Sequence, residues 1–133
     1  MLLIHKTGEK RLDIELSGVL DADMMAAGLD DLIDKAAGIS GGVMLYKIPS
    51  FSMPTGGAMA AEMMRLPQLF QVIGHFERCA VMTDIAWLRA AAAVEGALMP
   101  GLEIKAFEMD EEDAAESWLA RAEDDDFEDN MPV

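Results

Sequence analysis

Outside its carboxylates, the chain has few residues that could act on a substrate: two histidines, one cysteine and a handful of loop hydroxyls. His5 and His75 have no thiol or carboxylate at metal-ligand spacing, so neither reads as part of a metal site. Cys79 lies in the apolar stretch RCAVMT, where a thiol behaves as a small buried hydrophobe rather than a nucleophile. No Ser or Cys stands in a nucleophile elbow, no phosphate-cradling glycine loop occurs, and GGAMAAE at 56–62 is too loose for a dinucleotide fingerprint. The acidic residues fall at helix starts or in the tail, and DDDFED at 124–129 lacks the glycine and closing glutamate of a calcium loop. The expectation is a protein with no catalytic residues, no metal and no cofactor.

What remains is apolar. The chain holds 12 methionines, and Met53, Met59, Met63 and Met64 cluster in the stretch from 41 to 73. Unbranched thioethers repack easily, so such a cluster suits an adaptable pocket or partner surface. Tyr46 and Ile48 at a strand end, Phe51 in the following loop and Trp87 at a later helix start are placed to join Met53, Met59 and Met63 in one ligand-binding site. The same stripe also reads as ordinary core, and the sequence leaves both readings open.

The elements that must position these residues follow from periodicity. Residues 1–6 and the alternating Leu12, Ile14, Leu16 form a hairpin around TGEK, with Gly8 suited to a turn of positive φ. Asp21 or Asp23 caps a helix to about Lys35, with Met25, Leu29, Leu32, Ile33 and Ala36 on one face and Asp30, Asp31 and Asp34 on the other. Val43 to Ile48 is nearly all apolar, as in a central parallel strand, and the prolines and glycines of 49–57 make a loop.

The next helix puts Met59, Met63, Leu66 and Phe70 in one row and spaces Glu62 and Arg65 to pair. Pro67 has no amide to continue the helix, so a kink or break falls near Arg65 to Pro67, with a continuation to about Ile73. A strand at 78–83 leads to a helix from Ile85 to about Leu98, capped by Thr83 or Asp84, with Trp87, Ala91, Val94 and Leu98 in a row that is buried or meets a partner; Pro100 and Gly101 stop it. An edge strand at 102–107 and a last helix capped by Asp110 and docked by Trp118 and Leu119 complete the order ββαβαβαβα. This is an α/β fold: a five-stranded mixed sheet, an N-terminal hairpin followed by crossovers, with about four helices.

Length and charge set the outer limits. A chain of 133 residues forms one domain, read here as 1–122, followed by an acidic tail at 123–133 with almost nothing to bury, expected to be disordered. No apolar run approaches the ~18 residues of a membrane span, the first residues lack the pattern of a signal peptide, and the lone cysteine suits a reducing compartment, so the expected location is the cytoplasm. The net charge of −15 opposes nucleic acid, whose binding rests on neutralised phosphates. From Asp110 onward the chain has 11 acidic residues and one basic residue, Arg121.

Two stretches carry a family resemblance. FERCAVMTDIAWL at 76–88 and EIKAFEMDEEDAAESWL at 103–119 resemble the SpoIIAA-like family, of the STAS and CRAL-TRIO type of α/β fold. Arg78, Asp84 and Trp87 match a basic residue, an Asp and a helix-starting Trp; Lys105, Phe107, Asp110 and Trp118 match the last strand and its docked helix. The Pro- and Met-rich loop, Pro67 and the acidic tail depart from the pattern. The resemblance implies a small bacterial domain that binds an apolar, lipid-like molecule or a protein partner and is not an enzyme.

In STAS anti-sigma antagonists a phosphorylated Ser or Thr starts the helix after the central strand. Thr55, with Ser52 upstream, is the matching candidate, although Pro54 replaces the usual acidic neighbour. An ordinary capping threonine is the other reading. The leading expectation is an apolar ligand held between the sheet and the kinked second helix. The alternative is a regulatory domain that binds a partner or a second copy, with phosphorylation at Thr55 as its switch.

Overall fold

The computed structural model describes residues 1–98 and 101–129, and the backbone alone for 95, 96, 98 and 123–129. Strands β1 (Leu2–Gly8) and β2 (Arg11–Leu16) pair antiparallel, with Ile4 opposite Ile14. The turn differs from the sequence expectation. Gly8 stays within the strand at a register shift, and the glycines with positive φ are Gly18, Gly41 and Gly101. A bulge absorbs the extra residue, so Gly8 needs no left-handed backbone.

Strands β3 (Gly42–Lys47), β4 (Phe76–Met82) and β5 (Glu103–Phe107) are added in parallel, giving the order β1-β2-β3-β4-β5. This is the expected mixed sheet of five strands. Each new strand joins the same side of the last, and right-handed crossovers then place every connecting helix on one face. Those helices are α1 (Ala22–Ala36), α2 (Gly56–Met64), α3 (Leu66–Ile73) and α4 (Ala86–Leu98), and α5 (Glu112–Asp129) packs on the opposite face. The strand order never reverses, so the sheet has no switch-point crevice of the doubly wound kind.

Side chains alternate between the two faces accordingly. The register lines up Ile14, Tyr46 and Val81 on the face of α1 to α4, whereas Leu45, Ala80, Met82 and Phe107 meet Ala115, Trp118 and Leu119 of α5 on the other. Two glycines permit close approach. A Cβ at Gly28 would stand 2.5 Å from Leu2, so α1 lies tight on β1; one at Gly42 would meet Ile39 at 2.3 Å and the Lys10 carbonyl at 2.8 Å.

Asp21 caps α1 by accepting the Met24 N–H at 2.9 Å, and Thr55 caps α2 by accepting the Ala58 N–H at 3.1 Å. Arg65 interrupts the next stretch with φ −101° and ψ 1°, and Pro67 sits in the first turn of α3, where its missing amide costs nothing. The break makes five helices among the described residues rather than about four. Helix α5 runs on into the acidic stretch at 123–133; residues 130–133 and Pro100, the expected stop for α4, lie outside the described residues.

The last helix enters differently from the expectation: it starts at Glu112 rather than from a cap at Asp110, and Glu111 closes the turn by accepting the Glu108 N–H at 2.7 Å. The Asp84 carboxylate accepts the Met109 N–H at 2.9 Å, leaving the Thr83 hydroxyl to accept from Ile85 at the start of α4.

Candidate functional site

Helix α2 packs along α1 instead of descending onto the strands. Small residues make this possible: Ala58 and Ala61 are buried against Leu20, Met25 and Leu29. Arg65 then fastens the end of α2 to α1, donating to the Asp30 carboxylate at 2.8 and 3.2 Å and to the Ala61 carbonyl at 3.0 Å. This hydrogen-bonded pairing holds the Asp30 carboxyl below its ordinary range and raises the Arg65 guanidinium. The pairing expected between Glu62 and Arg65 is thus replaced by one that reaches 35 residues back along the chain.

Because α2 leans on α1 while α4 lies over β5 and β4, the sheet face between them is left uncovered near the carboxyl ends of β2 and β3. An apolar cavity of about 540 Å³ occupies this gap. Its floor includes Ile14, Leu16, Tyr46, Val81 and Ile104; α1 supplies Met25 and Leu29, and α4 supplies Leu88, Ala91 and Ala92. The loop after β3 closes over it with Ile48, Phe51, Met53 and Pro54, while α2 contributes Met59 and Glu62. Glu62 is the one charged residue of the lining among the described residues.

Five of the seven residues read from the sequence as ligand-binding therefore come together: Tyr46, Ile48, Phe51, Met53 and Met59. Met63 does not line the cavity and is 68 % exposed on the outer side of α2. Trp87 also lies outside the lining and is 57 % exposed; of its row on α4, Val94 is exposed as well and Ala91 lines the cavity. The Trp87 ring packs edge-on against Phe51 at a centroid distance of 5.4 Å and braces the loop from outside. Residues that sequence reasoning missed as lining, such as Glu62, Leu88 and Ala92, come from helix faces whose partner could not be chosen from periodicity alone.

The remaining candidates have local roles. Thr55 is exposed, with its hydroxyl engaged in the α2 cap, and Ser52 is exposed in the loop. His75 places Nδ1 2.5 Å from the Ile39 carbonyl, Cys79 is buried, and His5 is exposed. Among the described residues the carboxylates of Glu108, Asp110 and Glu111 lie within 4.8 Å of one another, all exposed, at the turn into α5.

The motif residues at 76–88 and 103–119 mostly gather away from the cavity. Arg78 stands 5.0 Å over the Trp118 ring and donates to the Trp118 carbonyl at 2.7 Å, and Phe107 packs on the same ring at 6.1 Å. They hold α5 to the sheet. Compared with known families, the SpoIIAA-like family matches residues 11–120. The chain belongs to the SpoIIAA-like family. A search of curated proteins finds no match. Among solved structures, the chain is similar to an uncharacterised protein of the DUF3478 family with a SpoIIAA-like fold from Shewanella loihica, at 22 % identity and a TM-score of 0.69, over 90 % of this chain and 92 % of that one. That likeness extends the SpoIIAA-like fold over almost the whole chain. No helix among the described residues is long and apolar enough to cross a membrane.

Proposed function

We propose that this SpoIIAA-like chain is a non-enzymatic binding domain that takes an apolar, lipid-like small molecule into the cavity between the sheet, α1, α2 and α4. The supporting observation is the cavity itself. Its volume of about 540 Å³ falls within the roughly 300–1,000 Å³ usual for small-molecule sites. Its lining is apolar apart from Tyr46 and Glu62, with the soft Cys79 thiol and three methionines. Met53 and Met59 sit at the mouth, where thioethers can repack around ligands of different outline. We assign the domain to 1–122 and its working location to the cytoplasm, with a small molecule rather than nucleic acid as partner.

Native mass spectrometry of freshly purified protein, followed by Nile red titration, tests this reading. A discrete bound mass lost on denaturation, or saturable dye binding weakened at least tenfold by Tyr46→Asp, is the expected result. An empty protein that also fails to take up the dye overturns it.

A second reading rests on a different surface. Met63, Met64 and Phe70 are 68, 81 and 64 % exposed on the outer side of α2 and α3, a large apolar display for a chain of charge −15. On this reading the domain is regulatory and docks a protein partner or a second copy there. Phosphorylation at Thr55 or Ser52 would add charge beside the α2 start and modulate the contact. Sedimentation of the unmodified chain and of Phe70→Glu tests it: self-association that the substitution abolishes supports a second copy, and a monomer at all concentrations removes that form of the reading.

A further inference from the structure

The lining of the cavity also specifies which end of an apolar ligand it accepts, an inference that rests on the pocket reading above. None of the chain's ten Lys and Arg residues lines the cavity. The local cations are engaged elsewhere: Arg65 with Asp30 and the Ala61 carbonyl, Lys35 with Asp31 and the Ile4 carbonyl, Arg89 with the Thr83 carbonyl. Glu62 is left alone. Its residue is exposed, it lies at the cavity edge one helical turn from Met59, and its carboxylate has no ion-pair partner among the described residues. Arg65, the neighbour whose spacing would neutralise it, is held by α1.

An ionised carboxylate only accepts hydrogen bonds, so a ligand head that meets Glu62 must donate. A carboxylate or phosphate head would instead place like charges together at the edge of a low-dielectric cavity, in a protein already strongly acidic. We propose that Glu62 makes the cavity selective for apolar molecules that end in a hydrogen-bond-donating head, an amine above all and an alcohol next, and that it excludes fatty acids and phospho-head amphipaths. The apolar body fills the space over Tyr46 and Val81, and the head remains at the wet rim between Met59 and Glu62.

Decylamine, decanol and decanoate, which share one tail, provide the test. Each is titrated by calorimetry into the full chain near physiological salt, where charges beyond ~8 Å are largely screened. The expected order is amine, then alcohol, then carboxylate. Because exposed ion pairs are individually weak, the amine should exceed the carboxylate by only about tenfold when attraction and repulsion combine. Glu62→Gln should shrink that ratio to about twofold, while Asp34→Asn, which removes an exposed carboxylate that does not line the cavity, should leave it unchanged. Circular dichroism of each variant establishes that the fold is kept. Decanoate binding as tightly as decylamine, or a ratio unaltered by Glu62→Gln, overturns head selection and leaves the pocket reading standing. Failure of all three probes to bind overturns the pocket reading and this inference with it.

Discussion

The two faces of the sheet are covered in opposite ways. Four helices lie on one face and leave an apolar cavity; a single helix lies on the other, where a more polar cleft of about 710 Å³, lined by Lys10, Arg11, Val43 and Glu116 among others, opens between α5 and the β1–β2 turn. The difference lies in the anchors. Helix α5 is fixed by long side chains that each define one geometry: Arg11 grips Glu116 with two nitrogens at 2.6 and 2.7 Å, Lys47 reaches Glu112 at 2.6 Å, and Arg78 stacks on Trp118. Helix α2 is seated by two alanines and clipped by one arginine. Small contacts let it ride on α1, so the apolar sheet face beside it stays uncovered.

Breaking the α5 face should have the largest effect. Trp118→Ala removes the ring shared by Arg78 and Phe107, and large aromatic truncations in a core cost about 3–5 kcal/mol. Urea unfolding should record a loss of that size, and a loss below ~1 kcal/mol would mean that α5 is held chiefly by its ion pairs.

Matched enlargements sharpen the contrast. Ala115 is fully buried where α5 meets the sheet, so Ala115→Leu should cost ~1–3 kcal/mol by overpacking. Ala92 is also buried but lines the cavity, so Ala92→Leu should cost less than half as much and lower Nile red uptake. Equal costs in the two variants would contradict the assignment of free space beside Ala92 and close packing around Ala115.

The smallest effect concerns acid. The hydrogen bonds from Arg11 hold the Glu116 carboxyl below its ordinary range. A folded pKa below the unfolded one means that the unfolded chain binds more protons on acidification; this contribution is complete above the ordinary carboxylate range and lost as pH falls through the folded value. Glu116→Gln should therefore flatten the acid limb of stability against pH, modestly because the pair is partly exposed. An unchanged slope would show that Arg11 does little to secure α5.

Much of the architecture was legible in the chain because the signals are local. Asp21 and Thr55 occupy the caps their side chains suit, Pro67 falls at a helix break, and the apolar run at 43–48 became the central strand. The site was legible in part. Met59 lines the cavity, whereas Met63, one turn away, faces outward. Helix α2 is apolar almost all round, so its periodicity does not select a buried face. Its orientation is decided by Ala58, Ala61 and Asp30, and Asp30 is distant in sequence. Of the two readings of the Trp87 row, buried or meeting a partner, burial does not hold for Trp87 itself, whose ring packs on the loop residue Phe51 and stays exposed.

The interruption at Arg65 has a mechanical consequence. A helix unbroken from 56 to 73 would act as a lever, so that lifting its first turns to admit a guest would pry Val72 away from Phe76. With no amide on Pro67 to tie back to Met63, the rod is cut into two pieces that meet at a pivot. A displacement of α2 would then be taken up at the Arg65 to Asp30 clasp, with the contacts of Val72 on the sheet left in place.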